Sequence, residues 1–188
     1  RGRDYYLHLL SFAGRAPRDV HPVDLSEVMR STSRMLLVRL PRGVTVADEL
    51  ANDLPMVDGD DSQLYQVAMN LMINAIEAIG DEEGTITISS GQCVCDEDDL
   101  VDSTAPGDIT GGRFVFFAVS DTGCGMDEET RRKLWEPFYS TKEEGTGMGL
   151  AAVLGIVSSH DGVITVKSQL GAGTTMTVLF PTEAPDAG

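Results

Sequence analysis

The sequence predicts an α+β fold, a two-layer sandwich of helices against a sheet. Three observations point there. Residues 61–79 are apolar around most of a helical circumference. Residues 113–120 form a nearly continuous apolar strand, and residues 162–168 and 174–180 flank the turn Leu170-Gly-Ala-Gly as a hairpin. Helices and strands lack the steady alternation of a parallel doubly wound sheet.

The elements follow in order. Residues 4–14 place Tyr5, Leu9 and Phe12 on one helix face, and Gly14 and Pro17 end it. Asp24 suits the N-cap of a second helix over about 25–40, closed by Pro41. Val44-Thr-Val-Ala reads as a short strand. The helix over 61–79 stops at Gly80, and residues 85–90 alternate as a strand. Residues 91–112 are acidic and turn-rich, which predicts a long loop or loose hairpin extension. Asp127 caps a short helix to about Leu134, and residues 148–160 form another.

The length of 188 residues suits one domain with a short appendage. The chain opens with Arg and not Met, which reads as a piece of something longer. No apolar run reaches the roughly 18–20 residues that cross a bilayer, and residues 1–10 lack signal-peptide character. The net charge is −16, unevenly spread. Residues 1–42 hold eight of the fourteen Lys and Arg, whereas residues 43–112 hold none and carry sixteen acids. This balance argues against nucleic acid and against an anionic membrane surface. An anionic ligand would need backbone N–H groups and a metal. The three cysteines, Cys93, Cys95 and Cys124, match no zinc spacing and suit a reducing, cytoplasmic setting. Cys93-Val-Cys95 admits a redox or metal element beside the plainer reading of two small strand residues.

Several motifs carry chemistry. On the helix 61–79, Gln63, Gln66, Asn70, Asn74 and Glu77 lie within about 40° of Asn70. The stripe faces either solvent or a polar cavity; asparagine is a poor surface helix former and a ligand for a hard cation such as Mg²⁺. Asp121-Thr-Gly-Cys-Gly-Met126 follows the apolar strand. Its carboxylate could accept from an exocyclic amine such as that of adenine, and its glycines suit a ligand close to the backbone; a plain turn explains it equally simply. Gly145-Thr-Gly-Met-Gly-Leu150 precedes a helix, where N–H groups and the macrodipole favour phosphate. It matches neither the dinucleotide fingerprint nor a Walker loop. Between them lies Glu136-Pro-Phe-Tyr-Ser-Thr-Lys142, whose plain reading is a connecting loop with Phe138 anchored in the core.

In this order the motifs resemble the catalytic and ATP-binding domain of bacterial sensor histidine kinases, within the superfamily shared with gyrase, chaperone and mismatch-repair ATPases. Asn70–Asn74 look like the N box, Asp121–Met126 the first glycine box, Glu136-Pro-Phe-Tyr the F box and Gly145–Leu150 the second glycine box. The resemblance implies a Bergerat-type ATP-binding fold, with a mixed, mostly antiparallel sheet covered on one face by helices. It implies a remnant of the second dimerisation-hairpin helix plus linker over 1–19, the catalytic domain over 20–182 and a tail over 183–188. The pattern is closest to hybrid-type kinases.

Carried over by motif, Asn74 would ligate Mg²⁺ and Asn70 would contact phosphate or a metal-bound water. Asp121 would accept from the adenine amine while Gly123 and Gly125 let the backbone pass the base. The nucleotide set would also include Glu77, Met126, Thr141, Gly145, Thr146, Gly147, Met148, Gly149 and Leu150. Residues 139–146 would form the nucleotide lid. A threonine on the last strand joins the adenine network in such domains; Thr174 and Thr175 both fit, with Thr175 favoured. Lys142 could reach the γ-phosphate or stay solvated. The implied activity is ATP-dependent phosphoryl transfer to a histidine on a dimerisation helix outside this chain. Relay to a response-regulator aspartate would follow. Partners would be that hairpin and a receiver domain. The parent would be a homodimer, anchored or not through other segments, and this piece a monomer or a weak non-native dimer.

The hydrolytic relatives carry Glu one turn before the metal-binding Asn; here that residue is Asn70, and an amide is no general base. An ATP hydrolase of the gyrase or chaperone kind and a degenerate docking module are the alternatives. The phospho-acceptor histidine is missing from the pattern: His8 precedes Leu, His21 lies in a linker before Pro22, and His160 closes a helix whose dipole its charge would suit. His160-Asp-Gly162 departs from the commoner His-Gly-Gly.

Overall fold

A computed structural model describes residues 19–38, 40–96, 100, 111–136, 138–139 and 148–182. The helix expected over 4–14, with His8, and the segment 183–188 lie outside the described residues.

Helix α1 spans Leu25–Leu37 and α2 Asp61–Ile79; the short α3 covers Glu128–Lys133, and α4 covers Gly149–Ser159. The strands are β1 (His21–Val23), β2 (Val44–Leu50), β3 (Val57–Gly59), β4 (Gly84–Cys95), β5 (Gly112–Asp121), β6 (Val163–Gln169) and β7 (Gly173–Pro181). The main sheet runs β2-β4-β5-β7-β6. Its β2–β4 pair is parallel and the others antiparallel. A small antiparallel pair, β1–β3, stands apart. This is the two-layer α+β architecture that the sequence predicts.

Sequence signals account for the helix starts. Asp24 accepts from the N–H groups of Ser26 and Glu27, and Asp60 accepts from Gln63. Asp127 accepts from Thr130. Gly80 closes α2 at φ 66° and ψ −133°, a conformation that glycine adopts readily and residues with a Cβ rarely do. Helix α1 ends at Leu37, short of the expected residue 40. Leu37 and Val38 are exposed, so no burial supports another turn.

Even residues of β4 and odd residues of β5 face the helices. Ile86, Ile88, Val115, Phe117 and Val119 meet Leu64, Leu71 and Met72 of α2 and Val153 and Val157 of α4 in one core. Each such side chain contributes about 1.5–3 kcal/mol by leaving water. A second, smaller cluster lies on the opposite face: Leu100, Phe114, Val163 and Leu179, with Cys93, Cys95 and Phe116 packed against it.

Of the two readings of residues 91–112, loop or hairpin extension, the second holds at both ends, since β4 continues to Cys95 and pairs antiparallel with β5, which begins at Gly112. Gly91 interrupts the local strand signal, but its partner Phe116 lays its ring against it: a Cβ there would sit 3.0 Å from the ring edge. His21 is not in a linker but pairs with Gly59. Three-residue strands are too short to show a period.

His160 corrects another expectation. It is structural, but the site needs its neutral form. Nδ1 donates to the Ile156 carbonyl at 2.8 Å, and Nε2 accepts from the buried Asp60 N–H at 3.1 Å. An imidazolium could not accept that bond. The ring ties the end of α4 to the start of α2. Asp161 beside it adopts φ 55°, the left-handed region that explains why glycine is commoner there.

Candidate functional site

Helix α2 forms one wall of the site. Leu71, Met72 and Ala75 are buried in the core, while Asn70 and Asn74 are half-buried on the polar stripe. Asn70 Nδ2 donates to the carbonyl of Gly149, the first residue of α4, at 3.3 Å. Asn74 Nδ2 is buried with no hydrogen-bond partner among the described residues. A buried amide without a partner costs about 1–3 kcal/mol, so its retention points to a ligand. Its carbonyl oxygen suits Mg²⁺ and its NH₂ a phosphate oxygen. Glu77, on the same stripe, is exposed.

The start of α4 lies beside Asn70. Met148 occupies the N-cap without a side-chain hydrogen bond, so the first N–H groups of α4 have no cap of their own. Met148 is exposed, and Leu150 packs partly against the core. Thr141, Lys142, Gly145, Thr146 and Gly147, with the rest of the expected lid over 140–146, lie outside the described residues.

The far end of the stripe meets the loop after β5. The Gly123 backbone runs so close to α2 that a Cβ there would overlap the Ala78 carbonyl, while Cys124 N–H donates to that same carbonyl at 3.0 Å. Gly125 adopts φ 64°, and a Cβ would overlap the Gln169 carbonyl. The loop is clamped from the β6–β7 hairpin as well. Gly171 N–H donates to the Cys124 carbonyl at 2.7 Å, and Met126 N–H donates to Ser168 Oγ at 2.8 Å. Ser168, which the motifs did not single out, also meets Thr174 Oγ1 at 2.8 Å. Only the folded hairpin brings it there, so sequence spacing carries no signal for it.

Asp121 closes β5 with its carboxylate on the helix-facing side. Oδ1 accepts from Gly123 N–H at 2.8 Å. Burial pushes the carboxyl above its ordinary range, while the backbone N–H groups of Gly123 and Thr174 pull it back. Asp121 pairs directly with Thr174, so the two share a face. Thr175, favoured from sequence, belongs to the other face. It pairs with Ser120, and the two hydroxyls meet at 2.8 Å. Period-2 alternation decides between adjacent threonines only once the register is known.

Phe138 is 77% exposed at φ 66°, which corrects the reading of it as a core anchor. Tyr139, next to it, is half-buried, with its hydroxyl 3.5 Å from Thr130 Oγ1. Among the described residues, no group of three or more His, Cys, Asp or Glu could hold a metal. The hard-cation ligand here would be the Asn74 amide.

Comparison with known proteins agrees with this geometry. Residues 59–184 match the family described as histidine kinase-, DNA gyrase B- and HSP90-like ATPase. The chain is 33% identical over 163 residues to Sporulation kinase B of Bacillus subtilis, covering 86% of this chain and 34% of that protein. It is 35% identical over 176 residues to Sensor kinase CckA of Brucella abortus, covering 92% of this chain and 18% of that protein. The chain thus spans about a third or less of these relatives. Among solved structures, the catalytic domain of histidine kinase ThkA superposes with a TM-score of 0.67 at 26% identity, covering 87% of this chain and 95% of that one. Full-length ShkA, solved in complex with AMPPNP, shares the fold with a TM-score of 0.70 at 24% identity, covering 97% of this chain and 38% of that one. The chain therefore belongs to the histidine kinase-, DNA gyrase B- and HSP90-like ATPase family, as a catalytic ATP-binding domain of the sensor histidine kinase kind.

Proposed function

We propose that this domain binds Mg²⁺-ATP along α2 and transfers the γ-phosphoryl group to a histidine on a dimerisation helix outside this chain. The observation that carries the reading is the placement of two unlike ends along one helix. Ala78, gripped by the Gly123–Cys124 backbone beside Asp121, is eight residues from Asn70. That is about 12 Å along the axis. Asp121 accepts from the adenine amine, with Thr174 and not Thr175 beside it. Asn70, Asn74 and the N–H groups at the start of α4 face the phosphates. The Asn74 carbonyl oxygen would hold Mg²⁺, which would supply positive charge to offset that of the phosphates.

The side chains favour transfer over hydrolysis. Asn70 stands where hydrolytic relatives place Glu, and an amide cannot take a proton from water. An incoming neutral imidazole brings its own lone pair, so the domain needs only to position the phosphates and offset their charge. The hairpin of the parent protein and a receiver domain are the partners in this reading. The parent is a homodimer on the cytoplasmic side, and its phosphate passes on by relay.

Thermal unfolding with ATP, with and without Mg²⁺, tests the site, with GTP as control. Ligand at 100 times its dissociation constant adds about 2.7 kcal/mol, a shift of several degrees for a domain of this size. ATP with Mg²⁺ should give that shift and GTP little. Asn74→Ala should abolish the Mg²⁺-dependent part without loss of apo stability, because it removes an unpartnered buried donor. Asp121→Asn should abolish the ATP shift. Equal shifts for ATP and GTP would refute the adenine assignment, and an unchanged Mg²⁺ dependence in Asn74→Ala would refute the metal ligand.

A further inference from the structure

The geometry points to Cys93 and Cys95 as a reversible dithiol–disulfide pair at the end of the sheet opposite the nucleotide site. The two residues alternate with Val94 along β4, so both side chains leave the same face. Their sulfurs lie 3.5 Å apart, and neither is in a disulfide. Both are half-buried at the margin of the outer cluster, next to Phe116, while Val94 between them is 75% exposed. Val94 leaves the other face; on their own face both cysteines keep part of their surface exposed, which gives a small oxidant access.

Two residues of strand rise separate the Cα atoms by about 6.8 Å. A disulfide spans roughly 4.4–6.8 Å between Cα atoms, so the pair can close only by tightening the pleat. Closure at the limit of that range gives a strained bond, and strained, accessible disulfides are the readily reduced ones. In a reducing compartment such a bond is a transient sensor element and not a structural staple. A metal site is the poorer reading, because no third His, Cys, Asp or Glu joins the pair among the described residues.

The oxidant is a low-molecular-weight disulfide such as oxidised glutathione. One cysteine thiolate attacks a glutathione sulfur, forms a mixed disulfide and releases the first glutathione. The second cysteine thiolate attacks the protein sulfur of that mixed disulfide, closes the Cys93–Cys95 bond and releases the second glutathione. Two protein thiols are oxidised, one glutathione disulfide is reduced, and the two thiol protons end on the two glutathiones.

Closure acts first on β5. Cys93 pairs with Phe114 and Cys95 with Gly112, and the Gly111 backbone is so close that a Cβ there would sit 2.5 Å from the Cys95 carbonyl oxygen. Tightening β4 must loosen this ladder end and the Phe114 packing. Asp121 pairs with Ile86, nine residues from Gly112 along β5, about 30 Å away at strand rise.

The test equilibrates the full chain with excess oxidised glutathione, blocks thiols with N-ethylmaleimide and maps the peptides by mass spectrometry. The expected product is a Cys93–Cys95 peptide lighter by two hydrogens, with no maleimide, restored to two alkylatable thiols by dithiothreitol. Exposed Cys124 serves as the internal reference and takes either glutathione or maleimide. Cys93→Ser and Cys95→Ser should each hold glutathione on the remaining cysteine. Amide exchange should rise several-fold over residues 91–96 and 111–116 on oxidation and stay constant around Asp121. Maleimide or glutathione on both Cys93 and Cys95 of the wild type would overturn the proposal. So would protection of both thiols by Zn²⁺ without disulfide formation.

Discussion

The two ends of the β4–β5 ladder are built on different principles. At the Asp121 end the chain packs backbone against backbone. Gly123 lies on the Ala78 carbonyl and Gly125 on that of Gln169, and Gly173 adopts φ 90° against the Asp121 carbonyl. No side chain fits in these contacts. At the Cys95 end one such contact remains, Gly111 against the Cys95 carbonyl, and the rest of the packing is side chain against side chain, through Phe114, Leu179, Val163 and Leu100. A Cβ added to Gly112 there would point into open space, with no heavy atom of a neighbour within 4 Å. The first end holds a carboxylate and a loop to a set geometry, which the proposed recognition of adenine requires. The second tolerates local change, which a strand-end thiol pair requires.

Substitutions can erase this contrast. The largest effect is expected for Gly125→Ala, which combines steric overlap with a left-handed backbone. It should lose about 3 kcal/mol, read by urea unfolding, together with the ATP-induced shift. His160→Ala should follow with a loss of about 2 kcal/mol, because the Asp60 N–H is left buried and unpaired. A loss below about 0.5 kcal/mol would mean that water replaces the ring.

A pH series refines the description of the Asp121 end. Burial raises the Asp121 carboxyl, so the folded chain binds that proton more readily than the unfolded chain. Its contribution to stability is present below the unfolded value and is lost as pH rises through the raised folded value. The stability of wild type relative to Asp121→Asn should therefore fall as pH rises above the ordinary aspartate value of about 3.9. A difference that grows with pH would mean a carboxylate held by its N–H donors and not disfavoured by burial. The smallest effect is expected at the other end. Gly112→Ala should be neutral or stabilising by about 0.5–1 kcal/mol, since it removes backbone freedom from the unfolded chain without a clash. A loss comparable with that of Gly125→Ala would leave no difference between the two ends.

Much of the fold was legible because its signals are local. The caps Asp24 and Asp127 act on N–H groups two or three residues away, and the α2 stripe follows from helical period alone. The candidate site was legible where one motif sits on one element, as with Asn70 and Asn74 or Asp121 and Gly123. It was illegible where two segments must first meet. Ser168 acts on Met126, 42 residues away in sequence.

Local sequence was enough for the α+β class, the main helices and strands, the polar stripe and the order of the motifs, because periodicity, capping and glycine conformation act within a few residues. The remainder depended on segments meeting in the folded chain. Sheet register assigned Thr174 to the Asp121 face and Thr175 to the other. Pairing with β5 extended β4 through Gly91 to Cys95 and brought two sulfurs to one face. Burial against Asp60 made His160 a neutral acceptor, although its place at a helix end suits a cation. In each case the deciding partner is distant in sequence, and the hydrogen bond or packing contact that selects the state exists only after the chain has folded.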